Sequence, residues 1–230
     1  MSELATLDSP RRSFLARLAA GAAAIGLAGL TTSAADAQNL VVTSSPPSSD
    51  DIESWPGNLR ARHRQVVDAV NPNEGFPLGF ALTFLNANNQ ASRIPDSNLG
   101  AVVVLRHMAM PMALTDAAWE KYKIGELLGV KDPATKEPAT RNIFYHSRDG
   151  DIEIPDMAID KLLARGVRFG ACNVALTILS GMRASVAGVD ANTAKDEWTA
   201  AVIPGISIIP SGTWGVNRAQ EKGCTYVYGG

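Results

Sequence analysis

Ala101-Val102-Val103-Val104-Leu105 is the stretch on which the fold turns. Apolar residues follow one another with no polar alternation. That is the pattern of a strand covered on both faces, as at the centre of a parallel sheet. Helix-period segments lie on either side of it. Gly75 to Asn88 places Leu78, Leu82 and Leu85 on one face. Met110 to Gly129 reads as a helix with Trp119, Ile124, Leu127 and Leu128 as apolar candidates and Gly129 as its stop.

The same alternation continues outward. Gln65 to Val70 reads as the first strand, broken by Asn71-Pro72-Asn73. Beyond the central run, Asp156 to Gly166 is a helix and Val167 to Cys172 a strand. Asn173 is placed to cap a helix reaching about Gly188, and Asn192-Thr193 opens another through Trp198. Ile206-Ser207-Ile208-Ile209 is a strand, Ser211 or Gly212 starts a helix to about Gly223, and Thr225-Tyr226-Val227-Tyr228 is the last strand. Strands alternating with helices predict an α/β domain with about five mainly parallel strands. A doubly wound, flavodoxin-like sheet fits the count, with 2-1-3-4-5 as the expected order. The rhythm breaks only at 130–154, a polar, proline-containing stretch long enough to be a lid or an interface segment.

The amino-terminal residues have a different character. Arg11-Arg12-Ser13-Phe14-Leu15 is a twin-arginine signature, followed by the weakly apolar Ala16 to Leu30 and by Ala35-Asp36-Ala37, a small-x-small cleavage signal. Residues 1–37 therefore read as an export signal, with a mature chain starting near Gln38 and a periplasmic or otherwise exported location. Arg17 and the Ala/Gly content make the segment a poor permanent span, and no later run is long enough to cross a bilayer. Residues 38–59 carry Ser44-Ser45-Pro46-Pro47-Ser48-Ser49-Asp50-Asp51 and read as a flexible linker, leaving 60–230 as the domain. The formal net charge is −2, and Arg11, Arg12 and Arg17 balance Glu3, Asp8 and Asp36. The domain is thus near neutral, which gives no electrostatic case for nucleic acid or an anionic membrane.

Ligands of such sheets bind beyond the carboxyl ends of the strands. His107 follows the second strand, and Cys172 ends the third immediately before a helix. A thiol at a helix N-terminus meets exposed N–H groups that favour the thiolate, as a sulfur nucleophile requires. A buried cysteine packed as a small apolar residue fits the same position. In the expected order the two strand ends lie about 10 Å apart, two strand spacings. Cys224 begins the last strand, at the far edge of the sheet, so both thiols are expected free. Ser211 and Gly212, after a strand and opening a helix, fit a tight strand-to-helix turn or N–H groups placed to hold an anion, and with Asn173 they are the candidate ligand-binding residues. His63, His107 and His146 share no metal-binding spacing. Met108, Met110 and Met112 after His107 invite a copper reading, against which stands simple core packing. There is no Walker loop, GxGxxG or GxSxG, so no cofactor is implied.

Two segments carry a family resemblance: Val102-Val103-Val104-Leu105-Arg106-His107, and Gly166-Val167-Arg168-Phe169-Gly170-Ala171-Cys172-Asn173. The ending adds Pro204-Gly205-Ile206-Ser207-Ile208-Ile209-Pro210-Ser211-Gly212 and then Asn217 to Tyr228. Over roughly 60–230 the chain resembles the DsrE/DsrF-like family, in its branch of sulfur-oxidation-like proteins. The resemblance implies a flavodoxin-like domain that forms homo-oligomers, often trimers or hexamers, and that carries sulfur as a persulfide on the cysteine matched by Cys172. Export and the long 130–154 segment are departures from that pattern. The leading expectation is an exported sulfur-binding or sulfur-transferring protein, with His107 assisting the Cys172 thiol and a sulfur-relay or other protein as partner. The alternatives are a non-catalytic module holding a small molecule or a protein with the strand-end crevice and the 130–154 loop, and metal handling through His107, Met108, Met110, Met112 and Cys172.

Overall fold

The computed structural model describes residues 54–59 and 61–230, so the twin-arginine segment and most of the expected linker lie outside the described residues. Five strands form one parallel sheet: β1 His63–Ala69, β2 Leu99–Leu105, β3 Arg168–Cys172, β4 Ile206–Ile209 and β5 Thr225–Tyr228. Seven helices connect them: α1 Phe76–Ser92, α2 Asp116–Lys121, α3 Ile124–Leu128, α4 Ile159–Ala164, α5 Asn173–Arg183, α6 Ala191–Ala200 and α7 Gly212–Glu221. The architecture is the α/β, flavodoxin-like sheet that the alternation of segments predicts.

The strand order differs from the expected 2-1-3-4-5. It is β4-β3-β2-β1-β5, with β1 paired to β2 and β5. The reason lies in burial. All seven residues of β2 are buried, so β2 must have neighbours on both sides and helices on both faces. At the edge, where the expected order put it, its apolar backbone would be open to solvent. From β1 to β4 the chain advances one strand at a time, and the intervening helices pack over one face. Val67, Val103, Leu105 and Phe169 join Leu78, Leu82, Trp119 and Trp198 there in the main core. Among the described helices, α7 alone returns across the other face, where Val66, Val102, Val104 and Ile209 meet Ala219 and Trp55. The connections reverse direction at β1 and β5, so the topological switch point, the usual place for a ligand crevice, is at their carboxyl ends.

Trp55 belongs to the stretch expected as a flexible linker, yet it is only 6% exposed. Its indole N–H reaches the carbonyl of Phe169 at 3.4 Å. A Cβ on Gly170 would lie 2.6 Å from that ring, so the bare glycine makes room for it. The packed domain therefore extends at least to Trp55.

The single helix expected from Met110 to Gly129 is broken into three pieces. His107–Ala113 winds as 3-10 turns, followed by α2 and α3. Pro111 has no N–H to give an α-helical bond. Lys123, at φ +47, turns the chain between α2 and α3. The helical period was real, but its apolar residues are shared among short pieces, with Trp119 donating to the Pro111 carbonyl at 2.9 Å. No helix among the described residues is long and apolar enough to cross a membrane.

Candidate functional site

Cys172 closes β3 and is itself the N-cap of α5. Its Sγ accepts the N–H of Ala175 at 3.3 Å, taking up one of the donors that a helix start leaves unpaired. The sulfur thus does the work expected of Asn173, which stands as the first residue of the helix. The side chain is 5% exposed and packs at the margin of the main core.

Because β2 and β3 are adjacent, their ends are one strand spacing apart, about 4.8 Å, rather than two. Leu105 pairs with Ala171, so the residue one step beyond, level with Cys172, is Arg106. His107 lies a further step out, exposed, at φ +50, with no hydrogen-bond partner among the described residues. The structure therefore sets Arg106 next to the thiol, where the sequence had suggested His107.

Arg106 is held firmly. Its Nε and Nη2 donate to the two carboxylate oxygens of Asp68 at 2.6 and 2.9 Å, a fork-to-fork pair. Tyr226 donates its hydroxyl to the same carboxylate at 3.0 Å. Asp68 is 4% exposed, and a Cβ on Gly212 would strike the Arg106 stem, so α7 begins hard against this network. The hydrogen bonds from Arg106 to Asp68 hold its guanidinium above its ordinary pKa, with smaller electrostatic contributions from Asp68, Tyr226 and Cys172. Burial, followed by the bond to Asp68, raises the Tyr226 phenol as well, so it stays a donor. One guanidinium nitrogen, Nη1, carries no bond to the described protein, and the side chain is 29% exposed. Sequence reasoning missed this triad, although one signal was available: Asp68 interrupts Val66-Val67-Asp68-Ala69, and a carboxylate inside a buried strand needs a buried partner.

The remaining candidates are placed as follows. Ser211 caps α7, its Oγ accepting from Trp214 N at 3.1 Å, and Gly212 is buried against Arg106. Met110 and Met112 are fully buried in the main core, and only Met108 is partly exposed. His146 pairs with Asp160 at 3.0 Å, far along the chain from His63 and His107. Among the described residues no three of His, Cys, Asp and Glu come together as a metal site. Cys172 and Cys224 are both free and buried. Burial pushes the Cys224 thiol up to about 11, opposed by the charge of Arg64.

A separate cleft of about 910 Å³ opens at the carboxyl end of β1. One wall is Asn71 to Glu74 and Phe76, with Met108 beside it; the other is built by Leu128 to Lys131 and by Asp149 to Glu153. The second wall belongs to the polar 130–154 segment, and it is not loose. Asn142, 2% exposed, donates to the carbonyls of Met112 and Leu114 and accepts from Phe144 N. Arg141 forks onto Asp151 at 2.6 Å and reaches Asp132 at 3.1 Å. Burial pushes the Asp151 carboxyl up, but the bonds from Arg141 and from Arg148 N outweigh it and hold the group below its usual range.

Comparison of the chain with family models, with curated proteins and with solved structures found no match.

Proposed function

We propose that the chain is an exported, thiol-based sulfur carrier in which Cys172 holds sulfur as a persulfide. The observation that supports it is the placement of the Cys172 sulfur: at the start of an 11-residue helix, on an N–H donor, one strand from an anchored guanidinium. Donors and positive charge of this kind favour a thiolate and equally a persulfide anion. The step is a sulfur transfer. The Cys172 thiolate attacks the outer sulfur of a persulfide donor R–S–SH. The donor's S–S bond breaks, a new S–S bond forms on Cys172, and R–S⁻ departs with the electron pair. Arg106 steadies the negative charge before and after transfer, and Asp68 with Tyr226 fixes its direction. At 5% exposure the thiol is sheltered from chance oxidants. The twin-arginine route and assembly into trimers or hexamers are parts of the same proposal.

The test is intact-mass spectrometry of protein from the exported fraction, before and after incubation with an inorganic polysulfide, without reductant. A chain starting at Gln38 that gains about 32 Da per sulfur, mapped to Cys172, is the expected result. Cys172→Ser should lose the adduct and Cys224→Ser keep it. Equal modification of the two variants would remove the assignment.

A further inference from the structure

We infer that the cleft at the carboxyl end of β1 is a second binding site, for an organic ammonium ion that carries an apolar body. The inference is independent of Cys172, which does not line this cleft. The volume of about 910 Å³ is that of a small-molecule site. Its place beside the β1/β5 switch point is where doubly wound sheets hold ligands.

The lining sets the chemistry. Phe76 contributes an aromatic ring that is 44% exposed, unusual for a phenylalanine in a packed domain and available for contact with a cation. Met108, Leu128 and Val130 are apolar and only partly buried, so an apolar ligand body would gain by covering them. The charges are lopsided. Glu74, Asp149 and Glu153 line the cleft without a hydrogen bond or ion pair among the described residues, and Asp151 is neutralised by Arg141. Lys131 is the sole cationic side chain among the lining residues. An anion would meet repulsion here. A cation would meet three unpaired carboxylates and the exposed Phe76 ring in one concavity. No His/Cys/Asp/Glu grouping among the described residues suits a bare metal ion, so an organic cation is the better fit.

The experiment titrates the full chain with dansylcadaverine, an apolar fluorophore bearing a primary ammonium, and in parallel with dansylglycine, its carboxylate counterpart. The ammonium probe should bind saturably at one site, at least about tenfold tighter than the carboxylate probe, with affinity falling as salt rises. Glu74→Gln combined with Glu153→Gln should weaken it about tenfold while near-ultraviolet circular dichroism stays unchanged. Phe76→Leu should weaken it while keeping the salt dependence, and Cys172→Ser should leave it as it was. Equal affinity for the two probes, no saturable binding, or indifference to the double substitution would overturn the inference. If the double variant misfolds, the wild-type contrast between probes and its salt dependence decide alone. Sulfur loading of Cys172 is read separately, so either proposal can fail without the other.

Discussion

Cys172 and Cys224 have the same chemistry in opposite settings. The first caps a helix with its sulfur and stands level with Arg106 on the neighbouring strand. The second is buried at the start of an edge strand, where desolvation holds the proton on. A thiol raised to about 11 is almost wholly protonated at pH 8, so Cys224 should alkylate at least about tenfold more slowly in the native protein than in the urea-unfolded chain. The sign of the pH effect on stability follows from the same burial. In the unfolded chain the Cys224 thiol ionises near the ordinary value of about 8.5, and in the folded chain near 11. Its stabilising contribution is therefore complete below about pH 8.5 and is lost as pH rises through about 11, a change of about 3 kcal/mol. Urea denaturation at pH 8 and pH 10.5 should show a steeper loss for the wild type than for Cys224→Ala. Parallel losses in the two proteins would mean that the thiol is not protonated by burial.

Among the elements, the 130–154 segment is the one whose character changed most between sequence and structure. Its polarity suggested a lid, yet Asn142 pins it from inside. A short turn, Lys131 to Pro138, is closed by a β-bridge and by the Asp132 side chain accepting from Ala134 N. Asn142→Leu keeps the branched side-chain shape and heavy-atom count and removes three hydrogen bonds at a buried position. At about 1 kcal/mol each, a loss of about 3 kcal/mol is expected, measurable as a lower urea midpoint. A shift under about 0.5 kcal/mol would show that the segment is not anchored there. The anchor also bears on function, because a fixed wall gives the cleft a fixed shape. The Met110 to Gly129 helix illustrates the reverse case. Its period was legible, but Pro111 and the positive φ of Lys123 cut it, and only the first of these could be read from the residues.

At the scale of the whole domain, the described helices cover the two faces of the sheet unequally, with α7 on one side and α1 to α6 on the side of the main core. On the crowded side α5 still leaves Val174, Ile178 and Met182 exposed at four-residue spacing, with Val186 continuing the line. A stripe of this kind, three of whose members are on one helical face, is what an interface between copies would cover. If the chain assembles as proposed, Ile178→Glu should shift the mass in multi-angle light scattering to that of a monomer, without changing the far-ultraviolet spectrum. An unchanged oligomer would place the contact elsewhere, and a wild-type monomer would remove assembly from the proposal.

What the residues determined alone was local. The strands were legible to within about two residues, because each is a short run of β-branched, aromatic or small apolar residues set off by Gly, Pro or a helical segment, and only β2 is the unbroken run of a strand buried on both faces. The position of Cys172 between a strand and a helix was legible for the same reason. Strand order was not, because every connection carries the same local signals and the pairing of β1 with β5 joins residues about 160 positions apart. One clue was there: the run from Ala101 to Leu105 demanded a central place, and the expected order denied it one. Tertiary structure alone decided that Arg106 rather than His107 stands level with the thiol, that Trp55 packs into the domain, and that Asn71, Phe76, Val130 and Asp149 meet around one cleft. These are contacts between distant segments, fixed by burial and charge pairing, and they become visible only when the chain is folded.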